Sequence, residues 1–135
     1  MQEGDYIDGV VSLWVGQADS ETALAAYADY DASPRPAATL SSDFGTGRYD
    51  HDFMDIAVEK PTRVLSDLLR GCSYDSIIIP KFVTLCGDLL PEETNAFVLL
   101  YDFQHNGSPG PGADAGGPVK LRYMGSITVE MPWPD

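Results

Sequence analysis

Val10-Val11-Ser12-Leu13-Trp14-Val15-Gly16-Gln17-Ala18-Asp19-Ser20-Glu21 is the stretch whose reading decides the fold. Val10, Val11, Leu13, Trp14 and Val15 are β-branched, aliphatic or aromatic, and only Ser12 interrupts them. Such a run suits a pleated strand with little solvent contact. Gly16 can adopt the backbone angles that end a strand. Asp19 or Ser20 can cap the first free N–H groups of a helix, and Glu21 sits favourably at its positive end. Leu24, Tyr27 and Ala28 then recur at helical spacing, so one helix face covers the sheet. The stretch reads as strand, turn and helix, and carries no chemistry of its own.

Downstream, Asp31 to Ser42 reads as a connector, because Ser33-Pro34-Arg35-Pro36 blocks regular structure. Ser41 to Gly47 reads as a turn-rich loop. Tyr49 to Glu59 predicts a second strand, with Met54, Ile56 and Val58 on the core side and Asp55 and Glu59 opposite. Pro61-Thr62 predicts a helix start capped by Thr62, followed by Leu65, Leu68, Leu69 and Cys72, with Gly71 at its end. A further helix from about Ser76 buries Ile78, Ile79, Phe82, Val83, Leu85 and Cys86. Pro80 belongs in its first turn or two, since deeper it would kink the helix. Leu89 to Glu93 reads as a link.

Asn95 to Phe103 is the most apolar strand, with Phe97, Leu99, Tyr101 and Phe103 pointing one way and Ala96, Val98 and Leu100 the other. A strand apolar on both faces is usually central. Gln104 to Pro118 reads as a long, mobile hairpin loop rich in glycine and proline. Val119, Leu121 and Tyr123 begin a last strand. Gly125 marks a bulge, after which Ile127, Val129 and Met131 continue the alternation. Met131 to Asp135 is a tail whose Trp133 covers an apolar edge. The order is β-α-β-α-α-β-β. The expected fold is α+β, a mainly antiparallel sheet of about four strands with three helices packed on one face. The other sheet face would be partly exposed and open to docking.

The chain has 135 residues, which fits a single domain spanning 1–135, and its 44% hydrophobic content supports one core. No apolar run reaches the roughly 18–20 residues of a membrane span. Met1-Gln2-Glu3-Gly4-Asp5 lacks the basic-then-apolar pattern of a signal peptide, which argues for the cytoplasm. Cys72 and Cys86 are too few for a disulfide framework and read as reduced core residues. Charge is the outstanding feature, at −13, with 21 acids against eight bases. Residues 1–59 hold twelve acids and two bases, residues 60–135 nine and six. An acidic field repels nucleic acid and anionic membranes and attracts basic partners.

The densest polar cluster is Tyr49-Asp50-His51-Asp52-Phe53-Met54-Asp55, with Asp43 nearby. As an EF-hand starting at Asp50 it fails, since Asp55 and Pro61 stand where Gly and Glu are needed. An acid/base pair needs two groups opposed across a cleft, which neighbours on one strand do not demonstrate. The remaining readings of the cluster are a solvated strand end and an acidic patch for the Arg and Lys of a partner. His51 and His105 lack any metal-ligand spacing and read as surface residues. There is no GxSxG, P-loop or dinucleotide fingerprint, and no cofactor is expected. Trp14 reads as core.

Val11-Ser12-Leu13-Trp14-Val15-Gly16, followed by Ser20-Glu21 and Tyr27, resembles the opening of the bacterial immunity protein 22 family of polymorphic toxin systems. Asp43-Phe44-Gly45 with Tyr49-Asp50-His51-Asp52-Phe53 resembles the family's aspartate-rich middle. Gly71-Cys72-Ser73-Tyr74 followed by Phe82 is similar to its helix pair. Asn95 to Phe103 and Tyr123-Met124-Gly125-Ser126-Ile127 resemble its late strands. The likeness covers about residues 10–128, with local variation at 33–37 and 106–117. It implies a non-enzymatic cytoplasmic protein that binds and neutralises a cognate toxin, commonly a nuclease with a basic substrate cleft. The expected toxin-binding residues are Asp43, Tyr49, Asp50, Asp52 and Asp55, with Asp29 and Asp31 as outer contributors. Tyr49 would supply contact area. The expected state is a monomer or weak dimer. The rival readings are a small metal-dependent or acid/base hydrolase using Asp50, His51 and Asp52, and a generic acidic adaptor.

Overall fold

The computed structural model describes residues 5–29, 36, 39–50, 53–112 and 117–130. Among these residues the elements run β1 (Asp5–Ala18), α1 (Glu21–Ala28), α2 (Leu40–Phe44), β2 (Met54–Val64), α3 (Leu65–Leu69), α4 (Asp75–Cys86), β3 (Leu89–Gln104), β4 (Gly110–Pro111) and β5 (Val119–Thr128). The strands form one antiparallel sheet in the order β2-β3-β1-β5-β4. The α+β class and antiparallel sheet match the sequence reading. Five strands and four helices replace the expected four and three.

The opening stretch supplies the centre of the sheet. β1 pairs with β3 on one side and β5 on the other. Its alternation is apolar on both sides: Val11, Leu13 and Val15 enter one core, and Trp14 and Ala18 enter another. The first core is closed by Leu65, Leu68, Leu69, Ile78 and Phe82 from α3 and α4. The second is closed by Leu24, Tyr27, Ala28 and Leu40 from α1 and α2. Helices therefore cover both faces, which corrects the expectation of one covered and one open face. A central strand apolar on both sides needs an apolar partner for each, and a one-sided layer would leave Trp14 in water.

Several local readings change for identifiable reasons. α2 lies in the stretch read as connector and loop. Thr39 and Ser42 form a reciprocal capping box around its start, with Thr39 N donating to Ser42 Oγ at 2.8 Å and Ser42 N to Thr39 Oγ1 at 3.0 Å. Ser20 is the cap of α1, accepting from Ala23 N at 3.0 Å. Pro61 and Thr62 do not start a helix but continue β2 to Val64. β2 is an edge strand, where a missing proline N–H costs no ladder bond. The supposed link at Leu89–Glu93 is the beginning of β3, a strand of 16 residues. Pro80 is the sixth residue of α4, within its first two turns. The glycine-rich loop folds back on the sheet, where Gly110 and Pro111 pair with Tyr123 and Arg122 and Gly112 N donates to Leu121 O at 3.1 Å. Trp133 and the tail lie outside the described residues.

Two irregularities transfer side chains between faces. At Gly125 the ladder steps from Leu13 opposite Gly125 to Trp14 opposite Tyr123. The extra residue sends Tyr123 into the second core and Ile127 and Val129 into the first. The bulge read from sequence is present, but the alternation changes face across it. In β3, Asp102 has a φ of 56°, and the register jumps from Tyr101 opposite Val11 to Phe103 opposite Tyr6. Phe103 consequently joins the second core and parts from Phe97 and Leu99, against the expected alternation. Four residues of β1, Ile7 to Val10, bulge opposite Asp102. Gly9, at φ 81°, fastens this kink by donating its N–H to Asp102 Oδ1 at 2.8 Å.

Candidate functional site

The antiparallel register brings the start of β1, the end of β3, the turn before β2 and the end of β5 to one end of the sheet. Asp8, Asp50, Asp102 and Glu130 lie there, with Arg48 as the accompanying base. The Tyr6 phenol meets the Asp50 backbone, and the charges of Asp50 and Arg48 both act on it. Burial raises the pKa of that phenol first, and the Asp50 charge adds to the shift. Phe53 N donates to Asp50 O at 3.1 Å, so Phe53 belongs to the same turn as Asp50. Tyr6 packs edge-on against Phe103 with centroids 5.9 Å apart. Tyr6, Ile7 and Phe53 are 57%, 41% and 51% exposed, high values for large apolar side chains. Sequence reasoning passed over Tyr6 and Ile7. Their only signal was an apolar pair set among acids ahead of the core run.

The expected site residues divide into groups. Asp29 caps the C-terminus of α1. Asp43 accepts the Tyr27 hydroxyl at 2.7 Å, and Tyr49 donates its hydroxyl to Ala28 O. These three therefore gather around the end of α1. Tyr49 is 2% exposed and packs edge-on against Phe103, so its ring supports the fold and offers no area to a partner. A tyrosine beside a run of acids resembles a contact residue in sequence, but packing against Phe103 takes the ring inside. Asp55 sits on the other side of the sheet, where its carboxylate accepts Ser73 N at 2.8 Å and the Tyr101 hydroxyl at 3.2 Å. It ties β2 to the turn before α4; burial raises the Tyr101 and Cys72 pKa values, the latter to about 12, and the Asp55 charge adds to both shifts. Asp31, His51 and Asp52 lie outside the described residues. Among the described residues no three His, Cys, Asp or Glu side chains converge as metal ligands.

His105 is 4% exposed, which corrects its reading as a surface residue. The chain curls back after β3, and His105 N donates to Ser12 Oγ at 3.1 Å. The ring packs against Tyr123 at 4.6 Å and Trp14 at 5.5 Å. Ser12 also donates to Phe103 O at 2.7 Å and meets Ser126 Oγ at 2.6 Å. The one polar residue in the opening run thus anchors the returning loop. Burial lowers the His105 pKa, so the ring is held neutral.

The profile of immunity protein 22 matches residues 11–130. The chain belongs to the immunity protein 22 family. The chain matches no curated protein and no solved structure. Membership brings toxin neutralisation as the function and a cognate toxin as the partner, in a family that is generally non-enzymatic. Among the described residues no helix is long and apolar enough to cross a membrane.

Proposed function

We propose that this immunity protein 22 member neutralises a nuclease-type toxin in the cytoplasm by stoichiometric binding, steered by charge. The observation that carries the reading is the gathering of Asp8, Asp50, Asp102 and Glu130 at one sheet end in a chain of net charge −13. A nuclease cleft is lined with cations that hold phosphates, and carboxylates can occupy it in their place. Complementary charge raises association to as much as ~10⁸–10⁹ M⁻¹s⁻¹ at low salt, against roughly 10⁵–10⁶ for neutral surfaces. Speed is selected where an unblocked toxin kills its own cell.

Asp50 is the proposed contact at the centre. Asp29 and Asp43 contribute to the field from the end of α1. Asp55 and Tyr49 hold the supporting structure. The test is co-expression with the cognate toxin domain. Survival of the cells supports the reading, and death despite soluble expression of the immunity protein sinks it.

A further inference from the structure

We infer that the acidic sheet end is a receptor for arginine side chains of a protein partner, with Tyr6 and Phe53 as stacking platforms and Asp8 and Asp50 as pairing anions. This rests on the toxin-neutralising reading and gives it a surface and a recognition chemistry.

Three observations converge. Tyr6, Ile7 and Phe53 are exposed in segments that run to the end of the sheet where the acids collect, while the other large apolar side chains exposed among the described residues, Leu85 and Leu89, belong to α4 and the start of β3. The Tyr6 ring is also held before any partner arrives, by its edge-on contact with Phe103 and its interaction with Asp50. A fixed aromatic ring loses little entropy on binding. Finally, the backbone is kinked to produce this arrangement. Asp102 takes a left-handed conformation, clamped by Gly9 N, and that turn places Phe103 beneath Tyr6. Strain of this kind persists where the surroundings fix it and collects at binding sites.

The chemistry selects the occupant. A guanidinium is planar and weakly hydrated, stacks on an aromatic face, and pairs in a fork with a carboxylate. At Tyr6 the phenol meets the Asp50 backbone and lies within the field of the Asp50 carboxylate. A wholly apolar partner would strip water from the carboxylates without replacing it. A second copy of the chain would set acid against acid, and a nucleic acid would be repelled. The partner that fits is a protein face bearing arginines.

Titration of the full chain at low salt with the peptide acetyl-Gly-Arg-Gly-Arg-amide tests the receptor directly by amide NMR. The Tyr6, Asp8, Asp50 and Phe53 resonances move, and move less with the lysine counterpart. Equal shifts from both peptides, or none at this end, overturn the inference whatever the toxin does. With the cognate toxin domain, the Tyr6→Leu/Phe53→Leu pair raises Kd by about tenfold, while Tyr6→Phe/Phe53→Tyr stays within about twofold. Wild-type protection with unchanged Kd in the leucine pair overturns the inference and leaves the toxin reading standing. Failure of the wild type to bind the toxin, with the arginine preference intact, overturns the toxin reading and leaves the receptor standing. A dimer of the chain that the leucine pair dissolves makes the face a self-interface and also overturns the inference.

Discussion

The two ends of the sheet are built from the same strands and have opposite characters. At the end holding Tyr6, the acids Asp8, Asp50, Asp102 and Glu130 face Arg48 alone among the described bases at the strand ends, and large apolar side chains stand exposed. At the other end, Lys60, Arg63, Lys120 and Arg122 interleave with Asp19, Glu59, Glu92 and Glu93. Backbone regularity also differs. Gly16 and Gly9 both approach backbone beside them too closely for a side chain, but Gly16 lies in continuous pairing and Gly9 lies in the bulge at Ile7–Val10. One end is regular and electrically balanced. The other is kinked and acidic, as expected of a contact surface on a rigid frame.

Substitutions that break each end separate these roles. The largest effect is expected from Gly16→Ala, whose added carbon would lie 2.0 Å from Lys120 O. Only backbone movement relieves that overlap, so a loss of about 3 kcal/mol is expected in chemical denaturation, the upper range for overpacking. Gly9→Ala follows at about 2 kcal/mol, because a left-handed backbone and crowding act together. Its added carbon would lie 2.6 Å from Val129 O, where φ is already 81°. This variant should also weaken toxin binding, since it loosens the kink beneath Tyr6. A binding loss no greater than that of an equally destabilising core variant would separate the kink from the interface.

Charge reversal probes the contrast more gently. Asp8→Lys with Asp50→Lys should slow association with the toxin domain about tenfold at low salt and flatten its salt dependence, while Glu92→Lys with Glu93→Lys should stay within about twofold. Equal slowing at both ends, measured by stopped flow, would replace the local surface with a field spread over the molecule. The smallest effect concerns the loop that leaves the acidic end. Burial lowers the His105 pKa, so the unfolded chain takes up a proton before the folded one as acid is added. Stability should be constant above the unfolded value of about 6.5 and fall below it until the folded group also titrates. His105→Gln should flatten that part of the profile in thermal melts. An unchanged slope would assign the acid sensitivity to other groups.

Legibility tracked the range of the forces involved. The opening strand and the helix after it, the capping at Ser20, the apolar interior strand at Asn95–Phe103 and the bulge at Gly125 were readable, because each depends on a few adjacent side chains. Gly16 misled, since it ends nothing and pairs with Ala96 and Leu121 inside β1, which runs on to Ala18. The helix at Leu40–Phe44 carried a readable signal in Thr39 and Ser42, hidden by its proline-rich approach. Pro61 misled, because whether a proline is tolerated depends on whether its strand lies at an edge. At the candidate site, the acidic cluster was visible as a run, but its members scatter. Asp55 turns to Ser73, Asp43 to Tyr27, and Tyr49 goes inside.

The chain alone determined the class of the fold, the buried apolar strand at Val10–Val15, the family likeness and the excess of negative charge. These follow from composition and from spacing over a few residues, where hydrophobicity and backbone preference act locally. Only the tertiary structure decided which acids share an end, that helices close both faces, and that Tyr6 and Phe53 rather than Tyr49 stand in water. Register and bulges set those outcomes, and they come from pairing residues some ninety positions apart, such as Gly9 with Asp102, a distance over which side-chain pattern carries no instruction.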